Sequence, residues 1–409
     1  MKHQYLRLNL GILAAAVASV ALFMGIVALH GQQTAYDTLH RVASLIDEKP
    51  DSASVLMGQI DPTGLTTDGT KALYALMNVR LATIYNSLPS DNDLNTALNF
   101  YKNRLGERGR YVQALVCYGL KQRRQGDVKG ATITLRTAHD KVAADDYLNR
   151  GIIEYCLAQL YEENYGMDRS RVANRYMAAL AFYNAAGSRR FALIAASSCA
   201  RAYRKTRPAL ADSCLERALS LANQLGNKTT YYDNLEYKAR IMAEKGQYAD
   251  ALHLAKRCLN EWKGRNGNDA YYGMAIAYAG LGKADSAQLW LQKAKSDKCD
   301  PYDEITRYET MSHVASIEGK PDLSHSLDQA SHHIADSLSN NPQMRTVTYA
   351  EGEYDATAAS SSHRSTLWFW GVIAAIIAIG AAAAAITALR HRRYRADMER
   401  FEQSLKNRE

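Results

Sequence analysis

Two segments of the chain superpose at an offset of thirty-six residues. Ala239, Gly246, Ala251 and Cys258 of EYKARIMAEKGQYADALHLAKRCL stand where Ala275, Gly282, Ala287 and Ala294 stand in YYGMAIAYAGLGKADSAQLWLQKAK. The same spacing runs through Gly119, Gly126, Ala131, Leu135 and Ala138, and through Ala82, Tyr85, Ala97 and Tyr101. It continues through Ala158, Tyr161, Tyr176 and Ala179 with a longer turn, and through Ala200, Tyr203, Ala211, Leu215 and Ala218 with a shorter one. A weaker seventh copy surrounds MSHVASIEGKPDLSHSLDQA. Such a pattern leaves few folds open. Two antiparallel helices need small residues where they cross, and a glycine ends the first of them. Alanines further on let the second helix pack on the first and on the next copy. One pair cannot bury both of its faces, so several must stack into an elongated array. Only 7 prolines in 409 residues interrupt the helical reading.

The pattern resembles the tetratricopeptide repeat family, with several copies agreeing at five or more positions over about residues 70–338. The near absence of the family's late proline is a departure, although Pro301 lies close to its place. The expected fold is all-α: a tetratricopeptide-type solenoid of helical hairpins, about six or seven repeats, flanked by two transmembrane helices. An earlier helix pair over 34–66 reads as a divergent cap, with Asp51 and Ser52 as helix N-caps.

The flanking helices are read from two charge-free apolar runs, 10–29 and 367–389. Each is long enough to cross about 30 Å of hydrocarbon. Trp368 and Trp370 open the second, at the level where aromatic residues favour the headgroups. Arg390, Arg392, Arg393 and Arg395 follow it, and Lys2 and Arg7 precede the first. Basic flanks stay cytoplasmic, so residues 1–9 and the tail 390–409 are expected inside and the body between the spans outside. The first run reads as an uncleaved anchor or as a cleaved signal segment; the body is exported either way. Small residues at helical spacing, such as Ala374, Ala378, Ala381 and Ala385, suit close helix approach. With the tail seam Tyr394, Met398, Phe401 and Leu405, they allow a homodimer through spans and tail.

The formal net charge is +8, but the tail and the N-terminal flank hold much of it. The body has no clustered basic face, which argues against nucleic acid as a partner. The order of parts, with a linker over 339–366 before the second span, resembles exported repeat proteins of Bacteroidota. That resemblance implies a bacterial inner-membrane protein with its repeats in the periplasm. In those proteins the region behind the second span commonly leads through a coiled coil to a kinase or a DNA-binding output. Here twenty residues follow it.

No hydrolase, metalloprotease, phosphate-loop or dinucleotide motif occurs, so neither an enzyme nor a cofactor is expected. The six cysteines are scattered without Cys-x-x-Cys spacing. They read as buried thiols, with disulfides open to an exported chain, and no metal site is expected. What remains is the concave face lined by the first helix of each repeat. Arg123, Arg124, Tyr155, Glu162, Arg201, Arg204, Glu236, Arg240 and Tyr272 are expected there, in bands of alternating charge with tyrosines between. Such a face suits a protein or peptide partner. Two functions follow from it: a membrane-anchored scaffold or adaptor, or the input subunit of a signalling system that couples through span and tail to a separate kinase or regulator.

Overall fold

The computed structural model describes residues 33–164, 169–262, 267–294, 301–339 and 342–406. They contain helices and turns and no strand. The first apolar run, Lys2, Arg7 and Cys299 lie outside the described residues. Helix α1 covers 33–45 and α2 Pro50–Met57. Seven hairpins follow among the described residues. They are α3 (Asp68–Ile84) with α4 (Asp91–Tyr101), α5 (Arg108–Arg124) with α6 (Val128–Lys141), and α7 (Tyr147–Asn164) with α8 (Arg169–Ala185). Next come α9 (Arg189–Tyr203) with α10 (Pro208–Gln224), α11 (Lys228–Glu244) with α12 (Tyr248–Glu261), α13 (Asn268–Gly280) with α14 (Ala284–Lys293), and α15 (Pro301–Ile317) with α16 (Pro321–Ser339). Helix α17 runs Pro342–Lys406.

The template positions have the roles the spacing predicts. Gly126, Gly246 and Gly282 hold φ of +79°, +81° and +72° at the hairpin turns. At Gly246 the chain closes the helix end with two reversed bonds, Gln247 N–H to the Met242 carbonyl and Gly246 N–H to that of Ala243. The crossing residues Ala158, Ala200, Ala239 and Ala275 are fully buried. Gly119 crosses so closely that a Cβ there would stand 3.0 Å from Leu135 Cγ. The cap differs in one detail. Helix α2 begins at Pro50 with Lys49 as its N-cap, so Asp51 and Ser52 lie inside the first turn. Proline suits that start because its missing N–H is one the helix leaves unbonded anyway. Asp51 instead accepts the Tyr85 hydroxyl at 2.6 Å.

The described residues of 33–350 curl back on themselves. The turn after α1 reaches the start of α9, where Glu48 accepts from Ser188 and the Asp47 carbonyl accepts from Arg190 at 2.8 Å. Further on, α9 reaches α15, where Arg204 Nη2 lies 3.2 Å from Glu309 and Lys205 pairs with the same carboxylate. These contacts join residues 104 to 143 positions apart.

Residues 351–409 form a separate unit. Within α17, Trp368–Arg393 is long and apolar enough to cross a membrane, with mean hydropathy 2.5 and none of it buried in the protein. Trp368, Phe369, Trp370, Ile377 and Ile379 are all exposed. Arg390, Arg392, Arg393 and Arg395 follow on the exposed helix surface. The side chains of Tyr394, Met398, Phe401 and Leu405 lie outside the described residues. The stretch expected as a linker over 339–366 is mostly helix from Pro342 onward. It holds no proline after Pro342, and adding residues to a formed helix costs little compared with starting one.

Candidate functional site

The first helices of the hairpins line a common face, through early residues such as Ile152 of α7 and Ile194 of α9 and late ones such as Glu162 and Arg201. That face holds two chambers. The first, about 330 Å³, is lined by residues of α3, α5, α7 and α9, among them Ile84, Val116, Ile152, Tyr155, Phe191 and Ile194. The second, about 410 Å³, is lined by Glu162, Arg201, Arg204, Tyr237, Arg240 and Glu309, with Leu338 of α16. Helix α7 serves both, through Tyr155 and Gln159 in the first and Glu162 and Glu163 one turn later in the second.

The first chamber is apolar with a charged rim. Asp47 pairs with Arg80 at 2.5 Å, and Arg190 donates to the Asp47 carbonyl. Burial pushes the Cys156 thiol up to about 12 and the Tyr155 phenol up to about 12, and it raises Cys117 too. All three wall groups are therefore neutral at physiological pH. Tyr155 OH lies 3.2 Å from Ser198 Oγ, and its ring tilts against that of Tyr176.

The second chamber is ionic. Arg240 is almost fully buried and bonds Asp269 at 3.0 Å and Glu244 at 3.1 Å. Asp269 also accepts from Arg201 at 3.0 Å, and Glu244 accepts from Arg204 at 2.8 Å. Burial raises the carboxyl of Asp269, but the Arg201 and Arg240 guanidiniums outweigh it and hold the pKa below the ordinary value. Arg201 stacks over the Tyr237 ring at 4.3 Å. Glu162 accepts the Tyr176 hydroxyl at 2.5 Å, and burial followed by that carboxylate raises the Tyr176 pKa.

The expected groove residues thus divide. Tyr155, Glu162, Arg201, Arg204 and Arg240 meet at the chambers. Arg123 stands between them, bridging Gln159 at 3.0 Å and Glu163 at 2.7 Å. Arg124 faces elsewhere and donates to the Ser87 and Thr83 carbonyls at the end of α3 and just beyond it. Glu236 and Tyr272 line neither chamber. Glu236 is 5% exposed under the turn before α13, and Tyr272 is 3% exposed with its hydroxyl directed at the Ala294 carbonyl. Both stand at template position five, as do Val116 and Tyr155 of the first chamber, so that position is open in the second and third repeats and covered in the fifth and sixth. Asp269, Glu309, Asn149 and Gln113 escaped the sequence reading. Asp269 stands two residues after the N-cap glycine Gly267 and reads there as an ordinary first-turn acid. Among the described residues no group of histidines, cysteines and carboxylates is placed to hold a metal. Cys117, Cys156, Cys199, Cys214 and Cys258 are buried free thiols.

No protein-family model matches the sequence, and no curated protein matches it. Among solved structures, the apo quorum sensor NprR from B. thuringiensis is similar over 74% of this chain and 99% of its own, with TM-score 0.50 at 13% identity. The chain has a tetratricopeptide-type helical-repeat fold. A tetratricopeptide repeat protein from Parabacteroides merdae matches over 68% of this chain and all of its own, with TM-score 0.42 and 15% identity. The Rap conjugation gene regulator of plasmid pLS20, in complex with the Phr* peptide, matches over 75% and 96%, with TM-score 0.41 and 13% identity.

Proposed function

We propose that this protein is a non-enzymatic, membrane-anchored repeat protein that holds a segment of another protein, or a peptide, in its concave face. The observation that carries this is the inner surface itself. Helices from six hairpins bring an apolar chamber and an ionic chamber together along α7. Concave, mostly preformed clefts with a few placed polar groups are where ligands bind. The fold shared with the quorum sensor NprR is in keeping with a binding role. A photo-crosslinking residue at Gln159 or Tyr237 should give a discrete adduct in intact cells. One at Leu105, which is 92% exposed, should not. Equal labelling from all three positions would sink the groove reading.

The charge flanks favour a topology with the repeats in the periplasm and the tail in the cytoplasm of a bacterial inner membrane. Protease added to spheroplasts should digest residues 33–350 and spare the tail. A repeat region that stays intact until detergent is added would reverse the topology.

A second reading, the signalling input subunit, is favoured by the unbroken course of α17 through the apolar stretch into the basic tail. It predicts that Met398→Asp together with Phe401→Asp abolishes a transcriptional response while leaving the melting of the repeat region unchanged. A pure scaffold keeps its partner capture in that variant.

A further inference from the structure

The first chamber carries more chemical detail than a general groove needs. At its rim Asp47 pairs with Arg80 and Arg190 is held by the Asp47 carbonyl, so the choice of an uncharged occupant rests on the walls. Its walls are aliphatic and aromatic side chains with neutral thiols. Two carboxamides stand among them. Gln113 is half-buried, and among the described residues it hydrogen-bonds to nothing. Asn149 is 4% exposed; its Nδ2 donates to Asp146 at 2.7 Å, which fixes the amide's orientation and leaves Oδ1 buried without a partner. A buried acceptor left unpaired costs about 1–3 kcal/mol, so an occupant that brings an N–H to it gains that back.

We infer that the first chamber is an anchor site for one uncharged apolar residue of an extended peptide, with the residue's own main-chain amide read by Gln113 and Asn149. This rests on the groove reading above and names the chemistry that the groove selects. The side chain fills the space between Ile84, Val116, Ile152 and Ile194. The peptide N–H meets the orphaned Asn149 oxygen, and the peptide carbonyl accepts from the Gln113 amide. From Tyr155 to Glu162 the rise along α7 is roughly 10 Å. An extended peptide covers that distance in about three residues, so its next residues enter the ionic chamber, whose own pairs demand no net charge.

The test uses the full chain in lipid nanodiscs and capped heptapeptides of glycine with one variable central residue, observed by saturation-transfer NMR. Leucine or phenylalanine at the centre should bind at least about tenfold more tightly than alanine, aspartate or lysine, a difference of about 1.4 kcal/mol. Methylating the nitrogen of the central leucine should weaken binding about tenfold. Gln113→Leu and Asn149→Ala should each weaken the leucine peptide, and Asn149→Ala should also shrink the penalty for methylation. Ile152→Trp, which fills the chamber, should abolish binding, with unchanged helical melting showing that the array is intact. Indifference to the central side chain, to methylation or to Ile152→Trp overturns the anchor. The in-cell adducts separate this outcome from a failure of the groove reading. An adduct from Tyr237 that survives Ile152→Trp sinks the anchor and leaves the groove standing. Loss of all groove adducts in the unaltered chain sinks both.

Discussion

Asp269→Ala is expected to destabilise the repeat array by about 3–5 kcal/mol, read as a fall in the urea midpoint at unchanged slope. The reason is what the substitution leaves behind. Arg240 has a side chain only 5% exposed, and Asp269 is one of its two acid partners. Glu244 remains at 3.1 Å, but Arg204 shares it, so the guanidinium keeps part of one carboxylate in a site that excludes water. Breaking a buried pair from one side costs more than replacing the pair. Arg240→Met added to Asp269→Ala should therefore recover most of the loss. A double variant no better than the single one would refute this account. The carboxyl also gives the protein an acid limit. Its pKa is lower in the folded chain than the unfolded value of about 3.9. The stability it contributes is complete at neutral pH and is lost as pH falls through the folded pKa. An acid titration of stability below about pH 4 should be steeper in the unaltered protein than in Asp269→Ala.

Gly273→Val should be nearly as damaging, through packing and not charge. A Cβ at Gly273 would lie 3.0 Å from both the Cα and the nitrogen of Arg240, and 3.3 Å from the Ala239 carbonyl carbon. Those neighbours are helix backbone and cannot rotate aside. Overpacking of this kind costs about 1–3 kcal/mol, and separating α13 from α11 also draws Asp269 away from Arg240. The expected result is a lower midpoint with faster amide exchange in α11 and α13. Gly106→Ala, where nothing lies within 4 Å of the new methyl, should change stability by less than about 0.5 kcal/mol. Equal effects at the two glycines would sink the close-approach argument.

The repeat was legible because its physics is local. Small residues at crossings and glycines at turns recur at a fixed offset, and each reports a contact within its own hairpin or with the next. Arg201, Arg204 and Arg240 were legible for the same reason, standing at template positions nine and twelve, which face inward on any such stack. Position five lines the first chamber at Val116 and Tyr155, so Glu236 and Tyr272 were misplaced by what covers them and not by their register, and that cover depends on how the stack curls. How tightly it curls depends on contacts such as Arg204 with Glu309 and Arg190 with the Asp47 carbonyl. Nothing in a thirty-six-residue window marks those residues as partners. The chambers were illegible for the same reason, since Ile84 and Ile194, or Glu162 and Leu338, meet only after the chain has come round.

That return path changes how the array should hold together. In an open stack each unit touches only its neighbours, and stability is close to a sum of independent terms that can fray from either end. Here Glu48, Asp47 and Glu309 tie distant hairpins side by side. Such ties raise the contact order, which slows folding because long loops must close before they are rewarded. They also make hairpins more than a hundred positions apart open together or not at all. An occupant gripped at one chamber would then be felt, as cooperativity, along the whole array.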